Sequence, residues 1–159
     1  MNFKGLLIFV IFIFACSNKN SESVNSLWEK AAESRNSQDL RLAVTYFKDI
    51  IKKYPDSDKA IQSQFQIADI YLNDVKDYEI AVKEFEHLRD FYPNSDLAKK
   101  AYFMVGYVYS NYLDQYSDAI YTYNGFLKTY PNDELVPSVK FELEALNKYQ
   151  VVIDSLNNL

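Results

Sequence analysis

A Tyr-Pro pair that recurs at a fixed interval constrains the fold of this chain more than any other feature. Tyr54, Tyr92 and Tyr130 are spaced 38 residues apart, and a proline directly follows each of them. The same register holds an alanine eleven positions earlier and an aromatic residue seven positions earlier, which are Ala43, Ala81 and Ala119, and Phe47, Phe85 and Tyr123. Fixed intervals of about 20 to 50 residues are typical of stacked supersecondary units. The sequence therefore predicts a repeat protein.

Helical periodicity runs through each unit. From Val24 onward, apolar residues recur at intervals of three and four, and no alternating strand pattern competes with this period. Each Tyr-Pro pair is followed by a side chain that can accept hydrogen bonds from first-turn amides, namely Ser57, Ser95 and Asp133. These signals predict three helix pairs, over 24–35 and 38–53, 57–74 and 77–91, and 95–112 and 115–129.

A last helix, predicted over 134–157, has no partner in this pairing. Its apolar residues form one stripe, which consists of Val139, Leu143, Leu146 and Ile153 with Phe141, Ala145 and Val152 alongside. Such a helix ordinarily covers the exposed end of a solenoid. The predicted fold class is therefore all-α, a superhelical solenoid of antiparallel helix pairs with about three 38-residue units and a carboxy-terminal capping helix.

The two glycines of the helical region have different predicted surroundings. Gly106 is expected to lie against Ala119 on the neighbouring helix, where small side chains let two backbones approach closely. Gly125 is expected on the outer face of its helix, so that its replacement by Ala should raise stability through helix propensity.

An apolar run from Leu6 to Ala15, preceded by Lys4, marks the amino terminus. Because a membrane-spanning helix needs about 20 apolar residues, this run is too short to cross a bilayer and indicates a signal peptide over 1–15. The end of the run, Ile13-Phe14-Ala15-Cys16, resembles the lipobox of bacterial lipoproteins. That resemblance implies lipidation of Cys16. The polar run from Ser17 to Ser23 has no apolar periodicity and predicts a flexible tether, so the lipidated cysteine and tether span 16–23 and the repeat domain spans 24–159.

Ordinary cleavage without a lipid is the alternative, and two observations weigh against it. Ile13 stands where such cleavage prefers a small residue. Cys16 is the only cysteine of the chain, so it cannot form an intrachain disulfide, and acylation explains its presence. By the sorting rules of proteobacteria, Ser17 after the lipidated cysteine implies the outer membrane, facing the periplasm.

The charge of the mature chain argues against nucleic acid as a ligand. Removing the signal peptide takes away Lys4 and no acid, which leaves 16 basic and 22 acidic side chains. Proteins that bind nucleic acid carry basic patches that neutralise phosphates. Nucleic acid is therefore not an expected ligand. The anchor at Cys16 and the predicted solenoid make the membrane and envelope proteins or peptides the expected partners.

The third unit resembles the tetratricopeptide repeat family. It carries the family's pattern of aromatic, Leu-Gly-like, Tyr, Ala, Phe-like and Pro positions as Tyr102, Val105-Gly106, Tyr109, Ala119, Tyr123 and Pro131. The second unit keeps most of these positions, whereas the first helix of the first unit is degenerate. Units of 38 residues with Tyr-Pro junctions, on a lipoprotein, resemble the tetratricopeptide lipoproteins of Gram-negative outer membranes. The helical lipoprotein of the β-barrel assembly machine is one of these.

Residues suited to catalysis are scarce in this sequence. It has one histidine, no free cysteine after lipidation and no glycine-rich phosphate loop, so neither an enzyme, a metal site nor a cofactor is expected. His87 is predicted to be solvated on the outer face of a second helix, with no partner for acid–base chemistry. The Asp-x-Asp segment at Asp56 lacks the Gly and Glu of a calcium loop, which favours helix capping instead.

The candidate functional residues are those that the packing stripe of the first helices leaves over. They follow one side of the second and third units and comprise Phe65, Asp69, Leu72, Asn73, Phe103, Tyr107 and Asn111. The family resemblance implies that this side lines a concave groove, where aromatic anchors and amides suit an extended peptide or a partner helix. The alternative is that tight curling buries these aromatics as core. The carboxylate clamp of cochaperone repeats needs Lys and Asn here, so recognition of an acidic chain end is disfavoured.

Two functions remain open at this point. The first is a lipid-anchored periplasmic scaffold for protein–protein interaction in the cell envelope, within the assembly of outer-membrane proteins. The second is a coordinator of cell-envelope maintenance near peptidoglycan, similar to the periplasmic tetratricopeptide protein of the Tol-Pal system. A trimerising coiled coil before the repeats would favour the second, and the sequence contains none.

Overall fold

A computed structural model describes the backbone of residues 22–157 and the side chains of residues 22–149. Over this range the chain is helical and contains no strand. Seven α-helices follow one another as α1 (Val24–Asn36), α2 (Leu40–Lys53), α3 (Asp58–Asp69), α4 (Tyr78–Phe91), α5 (Asp96–Asn111), α6 (Tyr116–Thr129) and α7 (Val136–Asn157). Each helix packs against the next one along the chain, and α3 also contacts α5. The predicted all-α solenoid of helix pairs is confirmed.

The start of each helix pair is set by a side-chain cap. The hydroxyl oxygens of Ser57 and Ser95 accept from the amides of Ala60 and Ala98 at 3.1 and 3.0 Å. These bonds satisfy donors that a helix terminus leaves free. Asp133 caps differently, since it accepts from Leu135 at 3.0 Å and α7 begins only at Val136, two residues later than predicted.

In each helix pair, the turn between the two helices contains one residue with a left-handed backbone conformation, at the same position of the repeat. Gln38, Lys76 and Asp114 have φ angles of 64°, 61° and 55°, and they are again 38 positions apart. Before Lys76, the chain forms a π-helical segment over Ile70–Val75, although one continuous helix to residue 74 was predicted. A π-helical turn holds more residues than an α-helical one. The first and third units reach the same register position directly from α1 and α5, without such a segment.

The Tyr-Pro pairs lie along one edge of the solenoid and connect successive units. The Tyr54 hydroxyl donates to the carbonyl of Glu22 at 2.7 Å, Tyr92 to that of Pro55 at 3.3 Å, and Tyr130 to that of Pro93 at 3.1 Å. The bonds of Tyr92 and Tyr130 reach back to the preceding Tyr-Pro pair, and the bond of Tyr54 reaches back to the residues before α1. We call this edge, which runs from Glu22 through the three pairs, the Tyr-Pro edge.

Each helix pair has its own core, which shares residues with the next pair. The alanines and aromatics of the repeat register are all buried: Ala43, Ala81, Ala119, Phe47, Phe85 and Tyr123. The degenerate first helix still packs normally, with Leu27 and Ala31 buried and Trp28 edge-on to Phe47 at 5.3 Å. The repeat register thus identifies the core correctly even where the family pattern is weak.

Both glycines lie in surroundings that differ from the prediction. A Cβ at Gly106 would come 2.6 Å from the ring of Tyr123, so the tight contact is with this ring, one turn beyond Ala119. Gly125 is half-buried, and a Cβ there would come well inside van der Waals distance of the Tyr102 hydroxyl oxygen. The prediction for Gly125 was wrong because the rotation of α6 about its axis depends on how α5 packs against it.

The last helix covers α6 through part of its predicted stripe. Val139, Leu143 and Leu146 are buried and complete the third core. Phe141 and Ala145, by contrast, lie on the exposed side, and Phe141 is 71% exposed. The side chains of Val152 and Ile153 lie outside the described residues. None of the described helices is both long and apolar enough to cross a membrane.

Candidate partner-binding groove

The seven candidate residues fall into two groups along the helices. Asp69, Leu72 and Asn73 lie where α3 passes into the π-helical segment. Phe65 lies on α3, and Phe103, Tyr107 and Asn111 lie on α5. The groups differ in chemistry, because the polar atoms of the first are engaged within the chain whereas the aromatic rings of the second are partly open.

Arg35 organises the first group. Its guanidinium donates through Nη2 to Asp69 at 2.6 Å, through Nε to Asp74 at 2.7 Å and through Nη1 to Gln66 at 2.7 Å. Asn73 in turn donates to the second carboxylate oxygen of Asp69 at 2.7 Å. This cluster, the Arg35 brace, joins the first helix pair to the second. Asp69 and Asn73 therefore help to hold two units together.

The electrostatics of the brace keep it charged. Partial burial alone would lower the pKa of the Arg35 guanidinium, but the hydrogen bonds and charges of Asp69 and Asp74 raise it above its ordinary value. Charge-assisted bonds of this kind are stronger than neutral ones. Leu72 lies beneath the surface, only 4% exposed, in the core with Ala81 and Phe85. It supports the surface and does not line it.

The aromatic rings of the second group are neither fully buried in the core nor fully exposed to solvent. Phe65 lies edge-on to the buried Phe85 at 5.5 Å, and Phe103 lies 5.7 Å from the buried Tyr123. The Phe103 and Tyr107 rings stack at 6.3 Å, and all three candidate aromatics have intermediate exposure. Aromatic pairs with one side against the core are rigid and present the other side to a ligand.

A groove of about 300 Å³ opens beside this aromatic row. It lies between α5 and the turn before α7, and we call it the α5 groove. Its lining includes Leu97, Lys100, Phe103, Met104 and Leu135. Five charged residues, Asp96, Lys99, Lys100, Asp133 and Glu134, complete the lining, so the groove offers both apolar contacts and charged groups to a partner.

Lysines flank the α5 groove. Lys99 pairs with Asp96 at 2.9 Å and with Asp133 at 3.3 Å, and these hydrogen bonds raise the pKa of its ammonium group. The pair with Asp133 ties the turn before α7 to α5. Lys100 is exposed, and its Nζ lies 5.0 Å from the ring centre of Phe65. A cation–π contact of this kind holds the lysine across the aromatic row.

The interactions of Asn111 are local. Its side-chain amide donates to the carbonyl of Tyr107 at 3.0 Å and to the hydroxyl of Ser110 at 2.7 Å. Asn111 remains exposed at the end of α5, about two turns from Phe103. It therefore lies at the far end of the aromatic row.

Sequence reasoning missed Arg35 and Lys100. Arg35 stands 38 residues before Asn73 and 76 before Asn111, so the repeat register already placed it at the same end of a first helix. Its partners could not be inferred, because the contact crosses from one unit to the next. Lys100 is three residues before Phe103, which puts the two on one face of α5.

The described residues contain no group of three or more His, Cys, Asp or Glu side chains that could hold a metal ion. His87 is exposed, as predicted, and its ring stacks on Phe91 at 4.1 Å. Cys16 lies outside the described residues. The chemistry that the described surface offers is thus the binding of apolar and aromatic groups, with polar and charged residues at the rim.

Family comparisons agree with this architecture. A tetratricopeptide repeat model matches residues 28–57, which is the degenerate first unit. The YfiO model, described as an outer membrane lipoprotein, matches residues 71–155 and so spans more than half of the chain. Comparison with curated proteins finds no match of significance. Since the matched region includes α4 to α6 and most of α7, the chain belongs to the YfiO outer membrane lipoprotein family.

Proposed function

We propose that this lipoprotein is anchored through Cys16 at the periplasmic face of the outer membrane and serves as a scaffold in outer-membrane protein assembly. The family and the repeat fold make it an envelope scaffold for protein–protein interaction. The observation that carries the proposal further is the α5 groove, where Phe103, held by its stacking on Tyr107, lies beside apolar and charged groups that are open to a partner.

The expected partner is an extended segment or a helix with apolar side chains. Phe103 and Met104 supply the floor, and Lys100 lies at the rim where it can meet an acidic or carbonyl group. Interfaces concentrate their binding energy in a few aromatic anchors of this kind. The Arg35 brace contributes indirectly, because it holds the second helix pair in place against the first.

Site-specific photo-cross-linking in intact cells tests the groove. A photoreactive residue at Lys100 is expected to capture an outer-membrane protein or an assembly component, and one at Tyr121 on α6, 81% exposed, is the matched control. Phe103→Ala in the first variant should weaken capture about tenfold or more. Identical products at both positions would contradict the groove. Products with Tol-Pal proteins would replace the assembly role by envelope maintenance.

The anchor has its own test. Acyl chains bind membranes at about 0.8 kcal/mol per buried methylene, so the lipidated chain should stay with membranes in a high-salt wash. Cys16→Ala should release it. A processed Cys16→Ala variant that still sediments with membranes after that wash would show that the lipid is not the anchor.

A further inference from the structure

The Tyr-Pro edge is the side from which the proposed tether leaves the domain. The Glu22 carbonyl accepts from Tyr54 at 2.7 Å, and the Glu22 carboxylate forms an ion pair with Lys30. Glu22, assigned to the tether from sequence, is therefore bound to the domain. The six steps along the chain from Cys16 to Glu22 span at most about 20 Å. A lipid on Cys16 would therefore keep Glu22, the first residue of this edge, within about 20 Å of the bilayer surface.

Phe91 is a large apolar side chain exposed at this edge. It is the last residue of α4, next to Tyr92, and 68% of it is accessible to solvent. It borders an open notch of about 430 Å³ together with Ile61 and Pro93. Its nearest aromatic neighbour is the exposed His87, so Phe91 is not held by the core.

The repeat architecture does not require an apolar residue at this place. The register positions that correspond to Phe91 are Lys53 and Thr129, and Ile61 corresponds to Lys99. The matching notch beside Tyr130, about 270 Å³, is lined by polar residues such as Lys99, Asn132 and Asp133. The apolar notch at Phe91 is therefore specific to one unit, which a purely structural role does not explain.

Lipid is the partner that the position of this notch favours. Apolar side chains such as Phe, Trp and Leu bind at the boundary between the lipid headgroups and the acyl chains, where their apolar surface is removed from water. A tethered domain meets the surface at a high effective concentration, so even a small apolar contact is populated. Asp96 beside the notch pairs with Lys99 at 2.9 Å, so this pair presents no excess of positive charge that would attract anionic headgroups. We therefore expect this notch to contact a bilayer surface of zwitterionic lipids.

We propose that the Tyr-Pro edge rests on the bilayer surface, with the Phe91 ring in the headgroup region of the leaflet that holds the lipid on Cys16. This inference rests on the proposed lipid anchor and adds a fixed orientation to it. In this orientation, the helix ends at the Tyr-Pro edge face the membrane. The turns with Gln38, Lys76 and Asp114, at the other end of the helices, point into the periplasm.

Fluorescence quenching in vesicles tests this orientation. The lipidated full chain is reconstituted with Trp28→Phe, so that a single new tryptophan reports its own surroundings. One variant carries Phe91→Trp. The matched control carries Tyr121→Trp, which is exposed on α6 nine residues before Tyr130 and so about 13 Å from the edge. The vesicles contain phosphatidylcholine with brominated acyl chains.

The expected result is loss of emission and a blue shift for the tryptophan at position 91, with the emission at position 121 unchanged. Equal quenching at both positions, or none at either while the protein floats with the vesicles, would overturn the orientation and leave the anchor standing. If the chain does not float with the vesicles, the anchor itself is wrong and this inference is wrong with it. Protection of position 91 only when other envelope proteins are added would assign the notch to a protein partner.

Discussion

Replacing Gly125 by Ala tests directly how α6 packs on α5. The new Cβ would lie well inside van der Waals distance of the Tyr102 hydroxyl oxygen and 3.3 Å from Cζ of the same ring. The Tyr102 ring is held in place by Arg89, whose guanidinium lies 5.0 Å from the ring centre, and by Phe126 at 5.8 Å. Because of these neighbours, the hydroxyl cannot move aside freely.

Two opposing effects determine how much Gly125→Ala changes the free energy of unfolding. Ala is favoured over Gly in a helix interior by up to about 1 kcal/mol. Overpacking in a well-packed region costs about 1 to 3 kcal/mol. We therefore expect Gly125→Ala to lower the free energy of unfolding by about 1 kcal/mol. In a Tyr102→Phe background the clashing oxygen is absent, and the same change should raise it by up to about 1 kcal/mol.

Urea unfolding, followed by far-ultraviolet circular dichroism, measures the free energy of unfolding of the wild type, of the Gly125→Ala and Tyr102→Phe variants, and of the double variant. Asn124→Ala is the control, because Asn124 is exposed on the same helix and its replacement should have the same effect in both backgrounds. The reasoning is refuted if Gly125→Ala stabilises the wild-type chain as much as it stabilises the Tyr102→Phe chain.

Changes at four further positions have defined outcomes. Gly106→Ala should lower the free energy of unfolding by about 1 to 3 kcal/mol, since its Cβ would lie 2.6 Å from the buried Tyr123 ring; a higher urea midpoint would contradict this. Arg35→Met removes three hydrogen bonds of a partly exposed brace and should cost about 1 to 2 kcal/mol in the same assay, and an unchanged midpoint would count against the brace. Lys76→Gly should be tolerated, whereas Lys76→Val should cost about 1 to 2 kcal/mol because φ is 61°; equal melting temperatures would refute this. Burial raises the pKa of the Tyr123 phenol in the folded chain. The stability that the buried neutral phenol contributes is therefore complete below the unfolded pKa of about 10 and is lost as the pH rises above that value. Tyr123→Phe should therefore move the midpoint of alkaline unfolding upward, and Tyr121→Phe at an exposed position should not.

The solenoid could be predicted from the sequence because its determinants are local and repeated. Helix caps such as Ser57 and Ser95, and the three-and-four spacing of apolar residues, act within a few residues of each other. The 38-residue repeat then presents the same local signals in three successive units. The π-helical segment over Ile70–Val75 escaped prediction, since its residues continue the apolar period and no local signal separates it from an α-helix.

The candidate groove could be predicted only in part. The exposed side of Phe103 and Tyr107 follows from their position outside the packing stripe. The use of Asp69 and Asn73 in the Arg35 brace does not, because Arg35 is more than 30 residues away and belongs to another unit. A carboxylate on a helix surface has the same local sequence whether it faces solvent or an arginine from the preceding repeat.

The repeat, the helices and the buried register of alanines and aromatics follow from spacing along one chain, and they could be predicted from the sequence alone. The side chain that meets Gly125, the exposure of Phe141 and the open position of Phe91 at the Tyr-Pro edge could not. They depend on the rotation of each helix about its axis and on its distance from its neighbours, which result from packing between units and which no spacing within one unit specifies.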